Sequence, residues 1–330
     1  MAADQMHDTM GFSSSRFLSY THIPTLFILT TTDYILLRHH QPELRKIGQK
    51  KSTSDMTTIE QVAWAASLLA TPRGIGWTHE PTAHLPAQPT ASRRKFIAFQ
   101  FLWIIFYGIL FDITLIHIQG NPCFSKGGPS LAAFGWWWRT TVWVNIVSLY
   151  CTLSGVYASA SIVSVAIGLY EPKDWCHLFG SPLDAYTSDS RVWHQALRKS
   201  LTSNSNFLAS AFNLPRGTFA TYFKLFTSFF ISGLIHAAPD YIFHQNFSNG
   251  KAVQFFVLQA VVITFEDTVI AIASGLGYKE SKSFKLIGLI WVFAWFTFCM
   301  PMYLDPTMHA GMMDEANHVS LIQGLIRVAT

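Results

Sequence analysis

Six apolar runs recur along the chain, each long enough to cross a hydrocarbon layer, which takes about 20 residues of helix. They cover roughly 17–37, 96–118, 140–170, 218–238, 252–275 and 284–304. The first is interrupted by His22, Pro24 and Asp33. No basic segment precedes it and no small-residue cleavage site follows, so it does not read as a secretory signal. The run 59–70 is too short to span and predicts an interfacial helix. The tail 319–330, VSLIQGLIRVAT, predicts another surface segment. Three prolines in 79–95 predict an extended loop that ends in a basic cluster. No internal repeat interrupts this order. The pattern predicts an all-α fold: one polytopic transmembrane helical bundle of six to eight spans, a single domain over 1–330.

Composition strengthens that picture. Only 13% of the residues are charged and the mean hydropathy is +0.27, whereas a soluble domain is about 25% charged. The four cysteines, Cys123, Cys151, Cys176 and Cys299, show no CxxC spacing. They point to neither a zinc site nor a disulfide framework, and no metal is expected. The expected surroundings are a lipid bilayer, with no nucleic-acid partner.

The distribution of Lys and Arg orients the chain. Loops 38–95, 171–217 and 276–285 hold 17 of the 23, and the segments on the other side hold five. The positive-inside rule places the first group in the cytosol. The sequon Asn246-Phe247-Ser248 falls on the opposite side, where glycosylation occurs. A multi-pass protein of the endoplasmic reticulum, glycosylated at Asn246, is the expectation.

Polar groups inside the spans carry the candidate chemistry, because lipid tolerates them only beside a partner or a cavity. The third run has small and polar residues at Asn145, Ser148, Thr152, Gly155 and Ser159, a spacing that predicts close helix packing. Asp33 and His117 lie near span ends and can reach headgroups; Asp112 is deeper. In 218–241, Lys224, Ser228, Ser232, His236 and Asp240 follow one another at i+4 steps and form one row. Glu266 and Asp267 sit near the middle of the next run, and Gln259 shares the face of Glu266. An antiparallel pair of helices would bring that carboxylate to His236 and hold its imidazole. The bland readings are a histidine satisfied by a backbone carbonyl and a carboxylate that locks two helices. In the loop, Arg191, His194, Arg198 and Lys199 in RVWHQALRK cluster on a helix. Such a stretch either lies on the membrane or binds an anionic ligand.

Four segments occur in order: TDYILLRHHQPELR at 32–45, RGIGW at 73–77, WHQALRKSL at 193–201 and SGLIHAAPD at 232–240. FED at 265–267 and PMYLDP at 301–306 follow. On these segments the chain resembles the membrane-bound wax-synthase-like acyltransferases, relatives of the MBOAT superfamily. The likeness is greatest to the fungal branch that acetylates terpenoid and meroterpenoid alcohols. The resemblance implies a polytopic enzyme that moves an acyl group, most readily acetyl from acetyl-CoA, to a lipophilic alcohol. It assigns His236 as the buried catalytic histidine and His194 as the histidine of the WHQ motif. Ala185–Gln195, AYTSDSRVWHQ, lacks the aromatic-Trp-Gly sequence found in relatives before WHQ.

The resulting expectation is direct attack of a hydroxyl on a thioester. His236 is the general base, since a neutral imidazole at about pH 7 can take a proton. His194 or Gln195 donates to the oxyanion, and Glu266 supports His236. Arg73, Arg94, Arg198 and Lys199 are candidates for the phosphates of CoA. Long-chain wax ester or sterol ester synthesis is the alternative within the class. A proton-coupled transporter built on Glu266, Asp267 and His236, or an inactive membrane scaffold, is the alternative outside it.

Overall fold

In lipid every backbone polar group must be satisfied internally, so an apolar run becomes a helix. In a computed structural model of the chain, the described residues are 28, 30–34, 44–69, 71, 74, 76–78, 80, 91–175, 195–244, 250–279, 281–311, 320 and 322. Among them the helices are α1 (Thr58–Leu69), α2 (Arg93–Gly120), α3 (Trp136–Arg139), α4 (Val142–Ala166), α5 (Gln195–Ala211), α6 (Thr218–His244), α7 (Ala252–Gly275) and α8 (Lys282–His309). Five stretches are long and apolar enough to cross a membrane: α2, Trp136–Ala166, Thr218–Ala238 within α6, α7 and α8. The fold is an all-α polytopic helical bundle. The expected first span, 17–37, lies largely outside the described residues; residues 30–34 are helical, with Asp33 and Tyr34 buried.

Helix ends differ from expectation where local chemistry extends them. Arg93, Arg94 and Lys95 form the first turn of α2 rather than the end of the loop before it. α8 continues to His309 through Pro301 and Pro306. Each proline lacks an N–H, which frees the carbonyls of Thr297 and Met302 from their intrahelical bonds. At the start of α8, the Ser281 hydroxyl accepts from the Phe284 N–H at 3.3 Å, a side-chain cap.

The described residues fall into two compact units, one drawn from 109–151 and 214–330, the other from 25–108 and 152–213. The first unit has its core among Phe124, Leu131, Val142, Phe255, Cys299 and Met300. Trp143 stacks on Phe293 at 5.0 Å and donates from Nε1 to the Thr297 hydroxyl at 2.8 Å. Asp305, near the end of α8, anchors the loop after α2: it accepts from the Leu131 N–H at 3.1 Å and from the Ser130 hydroxyl. Asp112 is buried in α2 and accepts from the Ser320 hydroxyl at 3.1 Å and the Ile322 N–H at 2.8 Å. The described residues of the tail are therefore tied to a carboxylate, and Ser320 is buried instead of lying at a surface.

In the second unit, RGIGW meets the end of the 32–45 segment. Ile47 N–H donates to Gly76 O and Thr78 N–H to Arg45 O, each at 2.9 Å. Gly74 and Gly76 have φ of 73° and 76°, values that a Cβ would strain. They turn Trp77 into a cluster with Tyr34, Leu44 and Leu68. A second cluster joins Phe96, Val165 and Trp175. The buried face of α4 runs through Asn145, Ser148, Cys151, Ser154, Ala158, Ser161 and Val165. It agrees with the expected small-residue row at its first two positions and then rotates away, leaving Ser159 exposed.

Candidate active site

His236 lies in α6 where the helix packs tightly on α7. The residue that permits the approach is Gly233, one turn earlier: a Cβ there would sit 2.8 Å from Val253 Cα and 3.3 Å from Phe256 Cβ. With no side chain at 233 the imidazole of His236 lies flat on the Phe256 ring, centroids 4.5 Å apart and planes 9° apart. The third wall comes from α8. The Tyr303 ring stands perpendicular to the imidazole at 89°, and its hydroxyl is 3.4 Å from His236 Nδ1. Tyr303 in turn stacks on Phe255 at 5.0 Å. His236 is half-buried.

Glu266 takes another position. It accepts from Trp291 Nε1 at 2.6 Å, and Gln259 Oε1 accepts from Trp295 Nε1 at 2.8 Å. The shared face of Gln259 and Glu266 is turned to α8, so it ties the two helices together. Phe256, which carries the imidazole, is ten residues from Glu266, about 15 Å along the helix. The structure thus brings the Tyr303 hydroxyl to His236 and the Glu266 carboxylate to Trp291. Asp267 points the other way, accepting from the Tyr222 hydroxyl at 3.2 Å. The adjacent acidic residues fasten α7 to both neighbours.

The remaining expected residues lie on other segments of the chain. Gln195 opens α5, with Arg198 and Lys199 in its first turns. Arg94 is exposed in the first turn of α2. His194, Arg73 and Asn246 lie outside the described residues. Tyr303 was present in the PMYLDP segment but had no assigned role. Its position 67 residues from His236 is set by packing of α8, which no local spacing reveals.

His236 begins 18 residues into α6, about 27 Å from its first residue. Phe256 is near the start of α7 and Tyr303 near the end of α8. The cluster therefore sits at the end of the three helices away from the basic segment 276–285. Chemically, it offers an imidazole with a fixed ring plane, a phenol on one nitrogen and apolar walls. That set can accept and return a proton during group transfer to a hydroxyl.

Comparison with known proteins agrees with this chemistry. Residues 175–258 match the membrane bound O-acyl transferase family. Acetyltransferase eriL of Hericium erinaceus is 32% identical over 98% of this chain and 86% of its own length. Acetyltransferase ple2 of Rhodocybe pseudopiperita is 32% identical over 97% and 86%. Acetyltransferase sirH of Leptosphaeria maculans is 27% identical over 94% and 83%. No solved structure matches the chain. The chain belongs to the membrane-bound O-acyltransferase family, beside these fungal acetyltransferases. It is an integral membrane enzyme that transfers an acyl group from an acyl-CoA donor to a hydrophobic acceptor.

Proposed function

We propose that the chain transfers acetyl from acetyl-CoA to a hydroxyl of a lipophilic terpenoid or meroterpenoid in secondary metabolism, as a multi-pass protein of the endoplasmic reticulum. The observation that carries this reading is the imidazole of His236, packed against Phe256 and Tyr303 within apolar helices. The names of these relatives, all acetyltransferases, support the donor. The apolar surroundings of the histidine suit a lipophilic acceptor.

His236 takes the proton of the acceptor hydroxyl as its oxygen attacks the thioester carbonyl carbon. The tetrahedral oxyanion collapses, the carbon–sulfur bond breaks, and the electron pair leaves on sulfur. The imidazolium returns the proton to the thiolate, giving the ester and free CoA. By the resemblance, His194 and Gln195 serve as oxyanion donors, and Arg73, Arg94, Arg198 and Lys199 as ligands of the CoA phosphates. Glu266 supports the site through α8 rather than by touching the imidazole.

Membranes containing the protein are incubated with acetyl-CoA and a panel of terpenoid alcohols, and products are read by mass for an added acetyl group. Acetylated alcohol is expected, and His236→Gln is expected to lose about 10²–10⁴ in rate at unchanged expression. Preferential transfer from long-chain acyl-CoA would refute the acetyl assignment. A Gln variant that turns over normally would remove His236 from the mechanism.

A further inference from the structure

We propose that Tyr303 is a positioning residue that holds His236 in the tautomer its chemistry requires. The proposal rests on the reading of His236 as general base. Three observations lead to it. Phe256 covers one face of the imidazole, 4.5 Å away and nearly parallel, so that face is closed and polar partners meet the ring at its edge. The Tyr303 hydroxyl stands at that edge, 3.4 Å from Nδ1. The phenol is itself held, stacked on Phe255 at 5.0 Å. Asp305, two residues on, fastens this end of α8 to Leu131 and Ser130.

A phenol can donate to a ring nitrogen or accept from it. If it donated to Nδ1, the neutral imidazole would carry its hydrogen on Nε2, and no basic nitrogen would face a reactant. The productive arrangement is the reverse. Nδ1–H donates to the Tyr303 oxygen, and Nε2 carries the basic lone pair. The acceptor hydroxyl gives its proton to Nε2 while its oxygen bonds to the thioester carbon. Nδ1–H keeps donating to the phenol while the ring is positively charged, and Nε2–H then protonates the departing sulfur. Tyr303 stays neutral and exchanges no atom. The 3.4 Å separation is long for such a bond, and it shortens when the imidazole is charged, as charge-assisted hydrogen bonds do.

A purely structural tyrosine is the competing account: the ring fills space between Phe255 and Phe256, and the hydroxyl is incidental. Tyr303→Phe separates the two, because it keeps the ring and removes only the oxygen. The purified protein is assayed with acetyl-CoA and the terpenoid alcohol acetylated by wild-type membranes. The Phe variant should lose about 10–100-fold in kcat, the worth of a hydrogen bond to a charged group. Its KM for acetyl-CoA and its Tm should stay unchanged. The solvent deuterium isotope effect on kcat should rise, because proton transfer becomes more limiting. A Phe variant that turns over at close to the wild-type rate overturns the proposal. Should Phe impair folding, a ring-fluorinated tyrosine at 303 keeps size and hydroxyl while changing the phenol's acidity. An altered kcat at constant KM then supports the proposal, and an unaltered kcat overturns it. His236→Gln is run in parallel: if it remains active, the base assignment fails, an outcome distinct from failure of Tyr303 alone.

Discussion

Gly233 on α6 faces Val253 on α7 so closely that a methyl group at 233 would lie 2.8 Å from Val253 Cα. The contact is with backbone, which cannot rotate aside. Gly233→Ala should therefore push the helices apart and lift His236 off Phe256. Overpacking of this kind costs about 1–3 kcal/mol. A lowered Tm in detergent together with reduced acyl transfer is the expected result. Unchanged values of both would mean that α7 shifts at no cost and that the stacked ring pair does not govern activity.

The tie between Gln259 and Trp295 tests how α7 and α8 are held. Gln259 is buried, accepting from Trp295 Nε1 at 2.8 Å and donating to Phe255 O at 3.0 Å. Trp295→Phe leaves the Gln259 carbonyl oxygen without its indole donor, a loss of about 1–3 kcal/mol. Adding Gln259→Leu removes the stranded acceptor and should restore much of the loss, because two apolar partners need no hydrogen bond. Thermal unfolding of the single and double variants measures this. A double variant less stable than Trp295→Phe would show that the other bonds of Gln259 matter more.

The spans were legible in the sequence because lipid imposes one rule on every apolar run, and α2, α4, α6, α7 and α8 follow it. His236 was legible for the converse reason: a polar ring in such a run needs an explanation. Its partner was not. Glu266 shares a face with Gln259, as the helical period requires, but which neighbour that face meets depends on how α6 and α8 flank α7. The indoles of Trp291 and Trp295 settle it in favour of α8. The burial of Asp112 under Ser320 and Ile322 is equally remote in sequence. The small-residue row of α4 failed beyond Ser148 for a local reason: the buried positions advance mostly by three residues, so the face drifts around the helix.

Outside the membrane-spanning helices, α1 depends on a charged cap. Glu60 accepts from the Thr57 N–H at 2.8 Å and pairs with Lys51 at 2.9 Å. The Lys51 hydrogen bond first, then the Thr57 backbone bond, hold the Glu60 carboxyl below its ordinary value. A depressed carboxyl stabilises the folded form above its unfolded pKa, and that support is lost as pH falls through the folded value. Amides in the first turn of α1 should therefore lose protection from hydrogen exchange below about pH 4. Glu60→Gln should reduce the difference between neutral and acid conditions after correction for intrinsic exchange. Equal pH dependence in both proteins would assign the fraying to another group.

The side from which the active site is reached follows from topology. The segments 171–217 and 276–285 carry eight Lys and Arg, whereas 239–251 carries one, so the positive-inside rule predicts that the 239–251 loop faces the lumen. His236 and Phe256 flank that loop in sequence. In that orientation the imidazole would be near the lumenal end of its helix, and an acyl-CoA arriving from the cytosol would have to extend most of the way across. A single cysteine at 248, introduced as Ser248→Cys in a background without the four native cysteines, should be labelled by an impermeant maleimide only after the lumenal face is opened. Modification of Asn246 in a glycosylating host would support the same orientation. Labelling of intact vesicles from the cytosolic side alone would invert the topology, place His236 near the cytosolic surface and remove the need for a deep donor channel.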